Sequence, residues 1–211
     1  SILSDRTYGD DLFTLNATAS SGLPVSYTSS NSSVATISGS TVTIVGVGTT
    51  TITASQAGNN NYNAAQNVTQ TLVVNPKPIV ITPTAGQSKV YGDNDPSFTY
   101  TPSEALISGN SFSGSLGRDA GVDVGEYDFN IGTLSAGPNY IISLAPTTNV
   151  FTITRKPLSV ASSISSKTYD ATTSTGPVTL GTVTGLVEGE SLNISAVGQY
   201  TDANVGSDKV A

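Results

Sequence analysis

The chain contains no cysteine, histidine, methionine or tryptophan. Without cysteine there is neither a disulfide staple nor a thiolate nucleophile. Without histidine the usual neutral-pH general base is missing, and zinc sites built from Cys and His are excluded. Charge is also scarce: Asp, Glu, Lys and Arg make up 11% of the residues, and their balance is −7. An acidic chain with no basic stripe repels phosphate backbones, which argues against nucleic acid as a partner. No run of about 18 apolar residues occurs, so no membrane-inserting segment is expected. No signal peptide is read in this stretch, and the targeting signals are expected to lie elsewhere in a longer protein. What remains abundant is Ser, Thr, Asn and Gly, the composition of half-solvated strands joined by many turns.

Within the 211 residues one pattern recurs. Lys89-Val90-Tyr91-Gly92-Asp93-Asn94-Asp95 has an upstream copy, Arg6-Thr7-Tyr8-Gly9-Asp10-Asp11, and a downstream copy, Lys167-Thr168-Tyr169-Asp170-Ala171-Thr172. The tyrosines lie 83 and then 78 residues apart (Tyr8 to Tyr91 to Tyr169). A fixed interval of that size means tandem modules rather than a small-repeat solenoid. Val47-Gly48, Val124-Gly125 and Val205-Gly206 keep the same pace as a recurring turn, and Ala57-Gly58…Asn61-Tyr62 is echoed by Ala136-Gly137-Pro138-Asn139-Tyr140. Three modules are expected: 1–75, 76–155 and 156–211. The chain starts inside one module and stops inside another, which reads as an excerpt whose third module is C-terminally incomplete.

Apolar residues alternate with polar ones throughout. Phe13, Leu15, Ala17 and Ala19 predict one strand, and Val42 with Ile44, Tyr127 with Phe129 and Ile131, and Phe151 with Ile153 predict others. Short strands with frequent turn signals indicate an all-β fold of small sandwich modules. The joints Asn75-Pro76-Lys77-Pro78 and Arg155-Lys156-Pro157 pass from a closing strand to an opening one without Gly/Ser slack, which predicts a semi-rigid rod. Three modules end to end would reach on the order of 100 Å. Ser103–Ile107 is the one stretch suited to a helical turn, with Ser103 as N-cap. It leaves a β-grasp-like sheet with one short helix as an alternative to a sandwich for modules 2 and 3.

The segments Leu23–Asn31 with Val34–Ile37, and Gly46–Ala54, resemble bacterial Ig-like domains of surface proteins. Tyr91-Gly92-Asp93, Ser113–Leu116, Ala120–Tyr127 and Ser135–Tyr140 resemble the MBG domain of the YGX type, while Lys167–Thr173 and Asp202–Gly206 resemble the YDG domain. Together these resemblances imply a large repetitive bacterial adhesin, exported and displayed on the cell surface. The mixture resembles Bacteroidota proteins, some of which leave by the type IX system and serve gliding motility.

The recurring Tyr8, Tyr91 and Tyr169 are read as architectural, packing at the start of each module with the hydroxyl on a backbone partner. Gly9 and Gly92 are expected to supply a positive-φ turn, with Asp170 tolerated at that place in the third copy. Asp93, Asp95 and Asp10 are the candidate calcium ligands, since calcium takes six to eight oxygens from such side chains. No EF-hand spacing occurs, and the plainer reading is Asx turns capping strand ends. No other cofactor is expected. The functional expectation is a non-catalytic stalk that holds a distal binding region away from the cell. Its partners are an extracellular surface, a glycan or neighbouring adhesin modules. Direct glycan or mucin binding through exposed tyrosines is the alternative. A carboxylate-pair glycoside hydrolase is the remote one, because no Asp/Glu pair sits on a cleft-forming loop.

Overall fold

The computed structural model describes residues 3–206, and every regular element in them is a β-strand. By backbone contacts they form two compact units. One comprises the described residues up to Gln87 with Ser97–Ala120 and Tyr127–Phe151; the other comprises Ser88–Pro96, Gly121–Glu126 and the residues from Thr152 onward. No helix among the described residues is long and apolar enough to cross a membrane.

The first unit begins with β1 (Arg6–Thr7), β2 (Phe13–Thr14), β3 (Ser26–Ser29), β4 (Ala35–Ser38), β5 (Thr41–Ile44), β6 (Gly48–Ser55) and β7 (Val68–Asn75). They make a four-stranded sheet, β1-β7-β6-β3, and a three-stranded sheet, β2-β5-β4. The β6–β7 ladder runs from Gly48↔Val74 to Ala54↔Val68. Its period-two pattern turns Thr50, Ile52, Leu72 and Val74 to one face, and the last three join Val34, Ala35 and Val42 in one buried cluster. Both sheets contribute to that core, so this part is a β-sandwich. The buried Thr50 hydroxyl is satisfied by the Asn31 N–H at 2.9 Å and by Ser29 Oγ at 2.8 Å.

The predicted strand from Phe13 to Ala19 is shorter than expected: β2 stops at Thr14. Beyond it the backbone is taken by single partners, Leu15 N–H by Ser40 O and Ala17 N–H by the Tyr27 hydroxyl at 2.7 Å, so no ladder continues. Two of the recurring Val-Gly pairs open strands, Gly48 leading β6 and Gly125 leading a later one, while Val205-Gly206 lies outside any regular element. Residues 207–211, the end of the third module expected at 156–211, lie outside the described residues.

Next come β8 (Lys77–Pro83), β9 (Ser88–Val90), β10 (Tyr100–Pro102), β11 (Gly117–Arg118), β12 (Gly125–Asn130), β13 (Tyr140–Leu144) and β14 (Val150–Thr154). β8 is the centre of a three-stranded sheet, antiparallel to β10 and parallel to β13. β11, β12, β14 and β9 form a second sheet in that order. In the first unit Ile79 and Ile81 are fully buried, and Phe98 meets Phe151 and Phe129 edge-to-face, with centroids 5.1 and 5.5 Å apart. Such pairs are worth about 0.5–1.5 kcal/mol each beyond their buried area.

The helical turn expected at Ser103–Ile107 does not form. Ser103 N–H donates to Val80 O at 2.8 Å, and its hydroxyl accepts from Val80 N–H at 3.1 Å. Ser103 therefore prolongs the β10–β8 ladder instead of capping a helix, and the helix-bearing β-grasp alternative falls with it. Residues 156–206 contain no helix either. In the second unit β15 (Ser159–Ile164) and β16 (Val178–Thr184) form a two-stranded antiparallel sheet with a register shift between Val160 and Ser162.

Candidate module seams at the Tyr-Gly turns

In the first unit β1 pairs in parallel with β7, Arg6 opposite Val74 and Thr7 opposite Asn75, and the Tyr8 N–H continues to Asn75 O at 2.9 Å. Parallel pairing has a positional consequence. The motif lies near the start of the sequence, yet it stands beside the last residue of β7, where the chain leaves for β8 after the single residue Pro76. Asp10 N–H closes a turn onto Thr7 O at 3.0 Å, with Gly9 third in the turn at φ 90°, the type II pattern.

This turn faces another of the same kind. Asn110 N–H bonds Ile107 O at 3.0 Å, and Gly109 is third at φ 90°. The Tyr8 ring stands edge-on to Tyr140, centroids 5.4 Å apart and planes at 84°. Its hydroxyl accepts from Asn110 Nδ2 at 3.3 Å, while the Tyr140 hydroxyl accepts from Ile107 N–H at 2.9 Å. Gly9 packs so closely that a Cβ there would come within 2.6 Å of Ile107 Cδ1. Two further landmarks meet alongside: Val47 N–H donates to Asn139 Oδ1 at 3.0 Å.

The second unit repeats the arrangement. β9 pairs in parallel with β14, Thr152 opposite Ser88 through Thr154 opposite Val90, and the Tyr91 N–H donates to Thr154 O at 2.8 Å. Asp93 N–H returns to Val90 O at 3.1 Å around Gly92, φ 86°. The facing turn is Val187-Glu188-Gly189-Glu190, closed by Glu190 N–H to Val187 O at 3.0 Å with Gly189 at φ 88°. A Cβ on Gly92 would fall inside contact distance of Val187 Cγ2. The Tyr91 hydroxyl donates to Glu190 Oε1 at 2.6 Å, and the other carboxylate oxygen accepts from Val187 N–H at 3.1 Å. Donation to Glu190, and that residue's charge, raise the Tyr91 pKa above the ordinary phenol value, with Asp123 adding to the effect. The same bond, with the Val187 N–H and the nearby Lys156 charge, lowers that of Glu190.

Both tyrosine hydroxyls thus find side-chain partners, Asn110 and Glu190, rather than the backbone partner expected. The reason is the parallel pairing, which carries each ring to the chain's exit and onto the following segment. The receiving turns escaped the sequence reading, although the signal was there: Leu106-Ile107-Ser108-Gly109-Asn110-Ser111 and Leu186-Val187-Glu188-Gly189-Glu190-Ser191 are the same run 80 residues apart (Ile107 to Val187).

The third copy is built differently. Asp170 does not take the left-handed conformation; Ala171 does, at φ 62°, the one such non-glycine residue among those described. Asp170 instead caps the turn. Its Oδ1 accepts from Lys167 Nζ at 2.6 Å, from the Thr172 hydroxyl at 2.8 Å and from Thr172 N–H at 3.0 Å. These bonds, the lysine first, lower its pKa to about 2. Tyr169 is 61% exposed.

Of the candidate calcium ligands, Asp10 Oδ2 accepts from Thr7 N–H at 2.9 Å, and Asp95 pairs with Lys89 at 2.7 Å. Asp93 is held by its backbone in the second turn. Among the described residues no three acidic side chains converge as a metal site would require.

Residues 79–152 match the MBG domain (YGX type) family, and residues 154–211 match the YDG domain family. No curated protein and no solved structure matches the chain.

Proposed function

We propose that this chain, which carries an MBG domain of the YGX type followed by a YDG domain, is a non-catalytic spacer segment of a large repetitive bacterial surface adhesin. It acts outside the cell, holding a distal binding region away from the surface in an adhesin of the Bacteroidota type, where type IX export and gliding motility are the context. The observation that carries this reading is the seam built twice, once in each compact unit. Each time a Tyr-Gly turn at a module's exit sits on an apolar-x-Gly-polar turn. One residue separates β7 from β8 and four separate β14 from β15, so the junctions have little slack. Short tethers combined with packed turns suit a part whose work is spacing.

Small-angle X-ray scattering tests it. A spacer is expected to have a maximum dimension on the order of 100 Å, unchanged by calcium or chelator. A compact particle under both conditions would overturn the reading.

One observation favours direct glycan binding as a second reading. A surface concavity of about 380 Å³ is lined by Lys167, Tyr169, Asp170, Tyr200, Asp202 and Asn204, rings and polar groups of the sort that hold sugars. Retention of the chain on immobilised mucin, lost on Tyr200→Ala without a change in melting temperature, would favour it over the spacer.

A further inference from the structure

The outward face of the β3, β6 and β7 ladder is a lattice of threonines. Its inward face carries Thr50, Ile52, Leu72 and Val74, so the alternate positions point to solvent. The register sets Thr28, Thr53 and Thr69 abreast across the three strands. Thr51 and Thr71 form the next row, and Thr49 stands opposite Val73 in the row after that. Thr28, Thr49, Thr69 and Thr71 are exposed, while Thr51 and Thr53, on the middle strand of the three, are half-buried by their neighbours.

Three features narrow what this face can meet. From Leu12 to Pro76 no residue is charged, so the −7 balance of the chain lies elsewhere and the face offers nothing to an ionic surface. Tyr27, the only aromatic residue in the three strands, turns to the other side, where its hydroxyl holds the Ala17 N–H. No ring is therefore available on this face to stack on a sugar. The threonines are regularly spaced, about 4.8 Å apart across strands and about 6.8 Å apart along them. Threonine is stiff at χ1, which holds each methyl and hydroxyl in a fixed direction before any partner arrives.

We propose that this face binds ice. Rows of hydroxyls and methyls at those intervals lie close to the oxygen repeats of an ice surface, so waters held by the threonines continue the crystal. A charged group would organise its own hydration shell against that order, and this face has none. The patch is three strands wide, so the expected effect is adsorption to the crystal rather than a deep fall in freezing point. The proposal stands apart from the spacer reading, which concerns the joints and not this face.

The test grows polycrystalline ice slowly from a stirred solution of the full chain and an inert reference protein of similar mass and charge. The readout is the ratio of the two proteins in the ice against that in the liquid. The chain is expected to be enriched in the ice. Thr53→Lys raises a charge at the centre of the lattice and is expected to return the chain to the reference level. Thr28→Lys, exposed on the edge strand β3 and so tolerated by the fold, is expected to do the same. Thr43→Lys makes the same charge change at an exposed position of the other sheet and is expected to leave the enrichment intact. Three results would overturn the proposal. These are exclusion of the unmodified chain from ice, enrichment that survives Thr28→Lys and Thr53→Lys, and an equal loss on Thr43→Lys. Retention on microcrystalline cellulose without uptake into ice would give the face to a polysaccharide and overturn it as well.

Discussion

Gly92→Ala is the most direct probe of the seam. At φ 86° any L-residue takes on left-handed strain of about 1–2 kcal/mol. The reduced freedom of the unfolded chain returns about 0.4–1 kcal/mol. The new Cβ also meets Val187 Cγ2, a methyl one bond from its own Cβ that cannot swing far, and overpacking of this kind costs about 1–3 kcal/mol. The expected loss is about 2–4 kcal/mol. Gly9→Ala carries the same strain at φ 90°, but its Cβ meets Ile107 Cδ1, the mobile end of a longer side chain, so the expected loss is about 1 kcal/mol.

Val187→Ala separates strain from clash. With Val187 truncated, Gly92→Ala should cost about 1 kcal/mol, leaving a coupling of about 1–3 kcal/mol between the two positions. A chain of several modules does not unfold in two states, so the readout is native-state hydrogen exchange of residues 88–96 and 185–192. If Gly92→Ala is no worse than Gly9→Ala, or if Val187→Ala does not relieve it, the turns do not bear on each other as described.

Other expectations follow from the same geometry. Asp170 has a folded pKa of about 2, below the unfolded carboxylate value, so its contribution is present above about pH 4 and is lost as pH falls towards 2. Asp170→Asn should flatten the acid limb of a melting-temperature profile between those values. Tyr91 shifts the opposite way: its contribution holds below the ordinary phenol pKa and is lost as alkaline pH removes the proton donated to Glu190. Tyr91→Phe should therefore remove an alkaline transition in hydrogen exchange at residues 185–192. Ala171→Gly relieves a left-handed alanine and should stabilise its turn by about 0.5–1 kcal/mol, seen as slower exchange around Thr172. Calcium or chelator should leave the melting temperature unchanged, because Asp95 is paired with Lys89 and Asp10 bonds Thr7; a rise with calcium that Asp93→Asn abolishes would contradict this.

Much of the strand content was legible because alternation is local. A period of two in Ile52 with Ala54 and in Leu72 with Val74 decides which face is buried whatever the partner strand, so the β-sandwich of the first module could be read directly, although the burial of the polar Thr50 could not. The glycines at positions 9 and 92 were legible for the same reason, since a tight turn needs its positive φ locally. Where local rules met competition they failed. Ser103 has the chemistry of an N-cap, but the open edge of Val80 offered its N–H and hydroxyl better partners. Asp170 could have taken the left-handed place, yet its carboxylate gains more from Lys167 and Thr172, and the turn moves that conformation to Ala171.

From sequence alone came the tandem repeat and the all-β character, because interval and alternation are properties of the chain itself; the MBG and YDG domains came from the resemblance of particular motifs, which the family matches bear out. Only the tertiary structure decided what the repeated tyrosine does. Its role depends on β1 lying parallel to β7 and β9 lying parallel to β14, pairings between segments more than 60 residues apart that no local pattern encodes. Parallel pairing carries a motif from the start of a module to its exit. There the bare glycine and the phenol meet the turns at Ile107–Asn110 and Val187–Glu190, and a local turn becomes a seam.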